Sequence, residues 1–100
     1  MIDEIMRKIR EGLYEYSQHA VDQSVVRMIS TKEIREAILH GKIIEDYPDD
    51  KYGPSRLIHG KTMNGRSIHV QCSYPSRPLI KIITVYEPDP ALWINLEIRR

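Results

Sequence analysis

The sequence predicts an α+β domain of two layers, helices first and antiparallel strands after, and three observations carry that reading. Apolar residues recur at helical spacing up to Gly41. Beyond it the pattern changes to short runs of strand-forming residues punctuated by Pro, Gly, Asn and Asp. Between two of those runs stands Asn64-Gly65, a strong two-residue hairpin signal.

Ile2, Ile5, Met6, Ile9 and Leu13 fall on one helical stripe, with Asp3, Glu4, Arg7, Lys8, Arg10 and Glu11 on the remaining arc, so the first helix buries one face. Ser17 offers an N-cap for a second helix running to about Met28. There Val21, Val25 and Met28 share one face, while His19, Gln23 and Arg27 line the opposite arc. Ser30 and Glu33 have capping-box spacing, Ile34, Ala37 and Ile38 form a stripe, and Gly41 is placed to end the third helix in a left-handed cap. Lys42 to Tyr47 reads as a strand, followed by a Pro48 to Pro54 loop. Arg56 to Met63 and Arg66 to Ser73 then flank a type I′ turn. Pairing Met63 with Arg66 sets His69 opposite Gly60, Val70 opposite His59 and Gln71 opposite Ile58. Leu79 to Tyr86 is nearly all apolar and reads as a central strand covered on both faces; Trp93 anchors a short terminal helix or strand.

The 100 residues suit a single domain, and 41% hydrophobic residues suffice for one core. The charged start MIDEIMRKIREGL does not read as a signal peptide and no run is long enough to span a bilayer, so a soluble, cytoplasmic protein is expected, with no membrane partner. Cys72 alone makes neither a disulfide nor a metal cluster. A net charge of +1 disfavours general electrostatic binding of nucleic acid while leaving room for a local basic patch. No phosphate-binding glycine loop, serine elbow or metal-ligand spacing is present, so neither cofactor nor metal is expected.

Four histidines are the natural proton carriers near neutral pH. His40 at a helix end and His59 on the hairpin suit structural roles. His69 shares a strand face with Ser67 and Gln71, and with glycine opposite, the space above it suits either a ligand or another covering side chain. His19, Gln23 and Arg27 form either a phosphate-binding groove or a solvated face. Tyr86, ending its strand, either reaches a cleft or is a buried tyrosine with one hydrogen bond.

The segments His19-Ala20, Arg27 to Ser30, Gly41 to Pro48, Leu57 to Gly60, Ile68 to Val70 and Thr84 to Pro90 with Trp93 resemble a family of small bacterial proteins of unknown function, over about residues 14 to 97. That family in turn resembles the RelE-like, MqsR-like and barnase-like ribonuclease toxins, the barnase-EndoU-colicin-RelE type. The resemblance implies two or three amino-terminal helices on a curved antiparallel sheet of about four strands, RelE-like in form. It implies the toxin of a type II toxin-antitoxin system, a metal-independent endoribonuclease acting on RNA and paired with a zinc-finger antitoxin. His19 or His69 would then serve as base and acid, Arg27 would hold phosphate charge and Tyr86 would position RNA. Gln23 stands where many relatives carry a basic residue. A non-catalytic protein-interaction module, or a stable orphan domain, is the alternative, and the oligomeric state is left open.

Overall fold

The computed structural model describes residues 2–100. The helices are α1 (Ile2–Arg10), α2 (Gln18–Val26) and α3 (Thr31–Leu39); the strands are β1 (Tyr14–Tyr16), β2 (Lys42–Tyr47), β3 (Ser55–Lys61), β4 (Ser67–Ser73), β5 (Ile80–Tyr86), β6 (Trp93–Ile94) and β7 (Ile98–Arg99). The α+β class holds, but the sheet is larger than expected and mixed. It has five strands in the order β1-β5-β4-β3-β2, with β6 and β7 forming a separate two-stranded hairpin. Mixing comes from β1, which pairs parallel with Ile80 to Ile82 of β5. Three residues leave too little alternation to read as a strand.

Local chemistry explains the helix ends. The Ser30 side chain accepts from the Glu33 backbone N–H while the Glu33 carboxylate accepts from that of Ser30, the capping box in full. Gly12, at φ 75°, closes α1: the Leu13 N–H reaches the Lys8 carbonyl at 2.8 Å and the Gly12 N–H that of Ile9 at 3.2 Å, a Schellman arrangement. Met28 takes the same position after α2 at φ 54°, with the Ile29 N–H on the Ser24 carbonyl at 2.8 Å. Gly41 does not adopt the expected left-handed conformation, and α3 ends at His40 with φ −107°. Glycine is needed there because a Cβ would collide with the Ala37 carbonyl oxygen and the Ile58 side chain.

The expected apolar face of α2 is not the buried one. Val25 and Met28 are 71% and 82% exposed, and the inward side holds Ala20 and Gln23. The cause is the short β1, which leaves the upper half of β5 with an unpaired backbone edge. Ser17 Oγ donates to the Ile83 carbonyl at 2.9 Å, and Gln23 Oε1 accepts from the Val85 N–H at 3.0 Å. Covering a strand edge requires hydrogen-bonding side chains, so Gln23 turns inward, while His19 and Arg27 of the same expected stripe stay exposed.

The β3–β4 hairpin stands where expected but slips by one residue: Ile58 pairs with Val70, His59 with His69 and Gly60 with Ile68. The Gly65 N–H reaches the Thr62 carbonyl at 2.9 Å and the Thr62 N–H the Arg66 carbonyl at 2.9 Å, while Gly65 alone takes a positive φ, 82°. This is a three-residue loop, a type I turn closed by a left-handed glycine, rather than type I′. Thr62 Oγ1, accepting from the Arg66 N–H at 3.1 Å, favours the longer loop.

Ile58, Ile68, Val70, Cys72, Ile82 and Val85 form the helical face of the sheet, buried beneath Ile5, Ile9, Ile34, Ala37 and Ile38. Gly60 lies against the α3 backbone, where a Cβ would overlap the Ala37 carbonyl. An extra residue in β5 at Ile83 reverses its alternation, so Thr84 and Tyr86 join Gln71 and His69 on the opposite face.

Candidate functional site

The one-residue slip sets the chemistry of that second face. His69 lies between His59 and Tyr86 rather than beside a gap over Gly60. The space above it is filled by the carboxy-terminal hairpin. Trp93 packs edge-on against the His69 ring with centroids 4.6 Å apart, and the His59 ring lies 5.3 Å from that of His69. The hairpin turns through Asn95 and Leu96, at φ 51° and 61°, with the Glu97 N–H on the Ile94 carbonyl at 3.0 Å. This is a type I′ turn lacking glycine.

His69 is 0% exposed and both ring nitrogens are engaged. Nε2 donates to the Leu96 carbonyl at 2.6 Å, which leaves Nδ1 to accept from the Tyr86 hydroxyl at 3.1 Å. Burial pushes the His69 pKa below the usual histidine value and raises that of Tyr86. The pair is therefore neutral imidazole and neutral phenol near pH 7. His59 Nδ1 donates to Glu97 at 2.6 Å, and Lys42 meets the same carboxylate at 2.7 Å. His59 Nε2 is buried without a hydrogen-bond partner among the described residues.

Tyr86 opens into a cleft of about 450 Å³ lined also by Tyr47, Asp50, Leu57, Gln71 and Arg99. Arg99 grips Glu45 through Nε at 3.2 Å and Nη2 at 2.8 Å, and its guanidinium lies 4.5 Å over the Trp93 ring. Two of its five N–H donors go to Glu45, and Tyr47 lies close enough to compete for a third. The Arg99 hydrogen bond lowers the Glu45 pKa, while burial and the Glu45 carboxylate push Tyr47 up to about 12. Tyr47 donates to Glu45. The cleft thus joins a fixed cation to two protonated phenols, one backed by a buried imidazole.

A second cleft, of about 350 Å³, is lined by His19, Asp50, Tyr52, Ser73, Arg77 and Lys81 among others. His19 is exposed there. Arg27 lines neither cleft and is exposed; its guanidinium has no hydrogen-bond or ion-pair partner among the described residues, and its carbonyl accepts from Arg66 at 3.0 Å. The expected constellation is therefore only partly assembled. Tyr86 and His69 meet, while His19 and Arg27 lie elsewhere along the β5 edge. Sequence reading missed Tyr47 and Arg99. Tyr47 has a weak local signal, since it alternates with Glu45 along β2; Arg99 has none, being brought to the cleft by the terminal hairpin.

Among the described residues, no three His, Cys, Asp or Glu side chains converge to hold a metal ion, and no helix is long and apolar enough to cross a membrane. The fold and cleft define a small α+β domain whose sheet has one face under helices and one polar face partly covered by a terminal hairpin. Residues 16–87 match the family described as Domain of unknown function (DUF4258), and the chain belongs to that family. No curated protein and no solved structure matches the chain.

Proposed function

We propose that the protein is a metal-independent endoribonuclease, acting in the cytoplasm as the toxin of a type II toxin-antitoxin pair, with the scissile phosphodiester held in the Tyr86 cleft. The observation that carries this reading is Tyr86, which lines the cleft together with Arg99 while its hydroxyl donates to the buried imidazole of His69. As the ribose 2′-hydroxyl attacks phosphorus, its proton passes to the Tyr86 oxygen and the Tyr86 proton to His69 Nδ1. Arg99 meets the charge growing on the phosphoryl oxygens. The bond to the 5′-oxygen breaks, and Tyr47 protonates that leaving oxygen, giving a 2′,3′-cyclic phosphate and a free 5′-hydroxyl. Solvent then returns the proton from His69 to Tyr47. His69 acts through Tyr86 without touching RNA; His19 and Arg27 hold flanking RNA rather than the reacting atoms. A zinc-finger antitoxin, implied by the resemblance, is the protein partner proposed for this role.

The test is incubation of the protein with mixed-sequence RNA in EDTA, free and ribosome-bound, beside Tyr86→Phe. Cyclic phosphate ends from the wild type and a loss of about 10²-fold or more in the variant, assayed well below its melting temperature, are expected, the unpaired His69 Nδ1 costing about 1 kcal/mol or more of stability. Full activity in Tyr86→Phe overturns the site. No cleavage in either setting overturns the reaction.

A second reading, a protein-interaction module, is favoured by one observation: Val25, Val26 and Met28 are 71%, 81% and 82% exposed along α2. Cleavage-inactive protein that binds a partner through α2, lost in Val25→Asp, would establish it.

A further inference from the structure

We infer that the second cleft, between the start of α2 and the β2–β3 loop, is a subsite for the base and phosphate of a nucleotide flanking the scissile bond, so that the substrate is single-stranded RNA spanning both clefts. This inference rests on the RNA-cleaving reading above. The two clefts share one wall, Asp50, so they are neighbours on the surface. Asp50 is fixed as a ridge between them, its carboxylate accepting from Ser55 Oγ at 3.1 Å and from Gln71 Nε2 at 3.4 Å, with the Tyr52 N–H also on it at 3.4 Å.

The lining suits a nucleotide in both its parts. Tyr52 is 80% exposed, an unusual setting for an aromatic ring that buries nothing of its own core. A projecting ring beside cations is the stacking platform that single-stranded nucleic acid uses, since every base has a π-face. Lys51 Nζ lies 4.9 Å from the centre of that ring, and His19, Arg77 and Lys81 line the same cleft. Lys81 is shared with Glu15 at 3.1 Å, whereas the Arg77 guanidinium has no partner among the described residues. Ser73 Oγ accepts from the Lys81 N–H at 2.9 Å, which leaves its O–H to donate to a phosphate oxygen. Phosphate recognition is shared among Arg77, Lys81, His19 and this hydroxyl. A duplex cannot use this arrangement, because its bases are already stacked on one another.

The experiment uses an uncleavable 2′-O-methyl RNA tetranucleotide, so that binding is read without cleavage. Fluorescence anisotropy follows its affinity for the wild type, Tyr52→Ala and Lys81→Gln across a salt series, and amide resonances locate it. Loss of the ring weakens binding about tenfold. Lys81→Gln lowers the salt slope by about 0.7, the value for one phosphate contact on a single strand. Unchanged affinity and slope in both variants, resonance changes confined to the Tyr86 cleft, or no binding at all overturn the subsite. Cleavage by the wild type with unaltered KM in both variants overturns the subsite and leaves the ribonuclease reading standing. Binding at Tyr52 and Lys81 without any cleavage overturns that reading and leaves a single-stranded RNA-binding cleft in place of the subsite.

Discussion

The two faces of the five-stranded sheet come from the same strands and have opposite chemistry. Toward the helices, Ile58, Ile68, Val70, Cys72, Ile82 and Val85 are sealed in an apolar layer. Away from them, the intervening positions present His59, His69, Gln71, Thr84 and Tyr86. One face is held by shape, since packing at near-crystalline density leaves no room for change. The other is held by partners: each buried polar atom needs a hydrogen bond, and the terminal hairpin supplies several. Strand alternation lets a 100-residue chain keep its fold on one side and free the other for a site.

The largest effect expected from this division is at Gly60. Gly60→Ala drives a methyl group into the α3 backbone and costs about 3 kcal/mol or more, whereas Gln71→Ala on the open face costs under about 1 kcal/mol. Urea unfolding of the two variants measures the contrast, and equal losses would break it.

The next effect is confined to the open face and read by pH. His69 is flanked there by Tyr86, His59, Trp93 and the Leu96 carbonyl, and burial holds its pKa below the ordinary value. The unfolded chain takes up this proton near pH 6.5, while the folded state does not until lower pH. Stability is therefore complete above about pH 6.5 and falls as the pH drops toward the folded pKa, by up to about 1.4 kcal/mol per pH unit. Glu97, held low by Lys42 and His59, and Glu45, held low by Arg99, act in the same direction only below their ordinary value of 4.5. Unfolding midpoints between about pH 7 and pH 5 show this slope in the wild type and a flatter one in His69→Gln. An undiminished slope in the variant would assign it to another group.

The smallest effect sharpens the comparison where the helical layer meets solvent. Met28 closes α2 in a left-handed conformation that suits glycine, and its side chain buries little. Met28→Gly is expected to raise stability by about 0.5 to 1 kcal/mol, seen as an upward shift of the thermal midpoint.

Much of this architecture is legible residue by residue. The Ser30–Glu33 capping box, the α3 stripe, the α1 stripe through Ile9 and the site of the β3–β4 turn need only neighbours a few positions apart, and the structure contains them; Leu13, expected on the α1 stripe, lies beyond the helix end and is exposed. The hairpin register is not legible, because Asn64-Gly65 fits both a two-residue and a three-residue loop, and the Thr62 hydroxyl decides between them. For the candidate site, Tyr86 and His69 are readable as strand residues, but their contact follows from that register.

By itself the sequence determined the class, the order of helices before strands, and the local caps and turn positions. Those features depend on periodicity and on hydrogen bonds within one turn of chain. Only the tertiary structure decided that β1 lies beside β5, that α2 turns Gln23 inward to cover its edge, and that Trp93, Leu96 and Arg99 close over the His69–Tyr86 pair. These choices satisfy backbone and side-chain polar groups left open by distant segments.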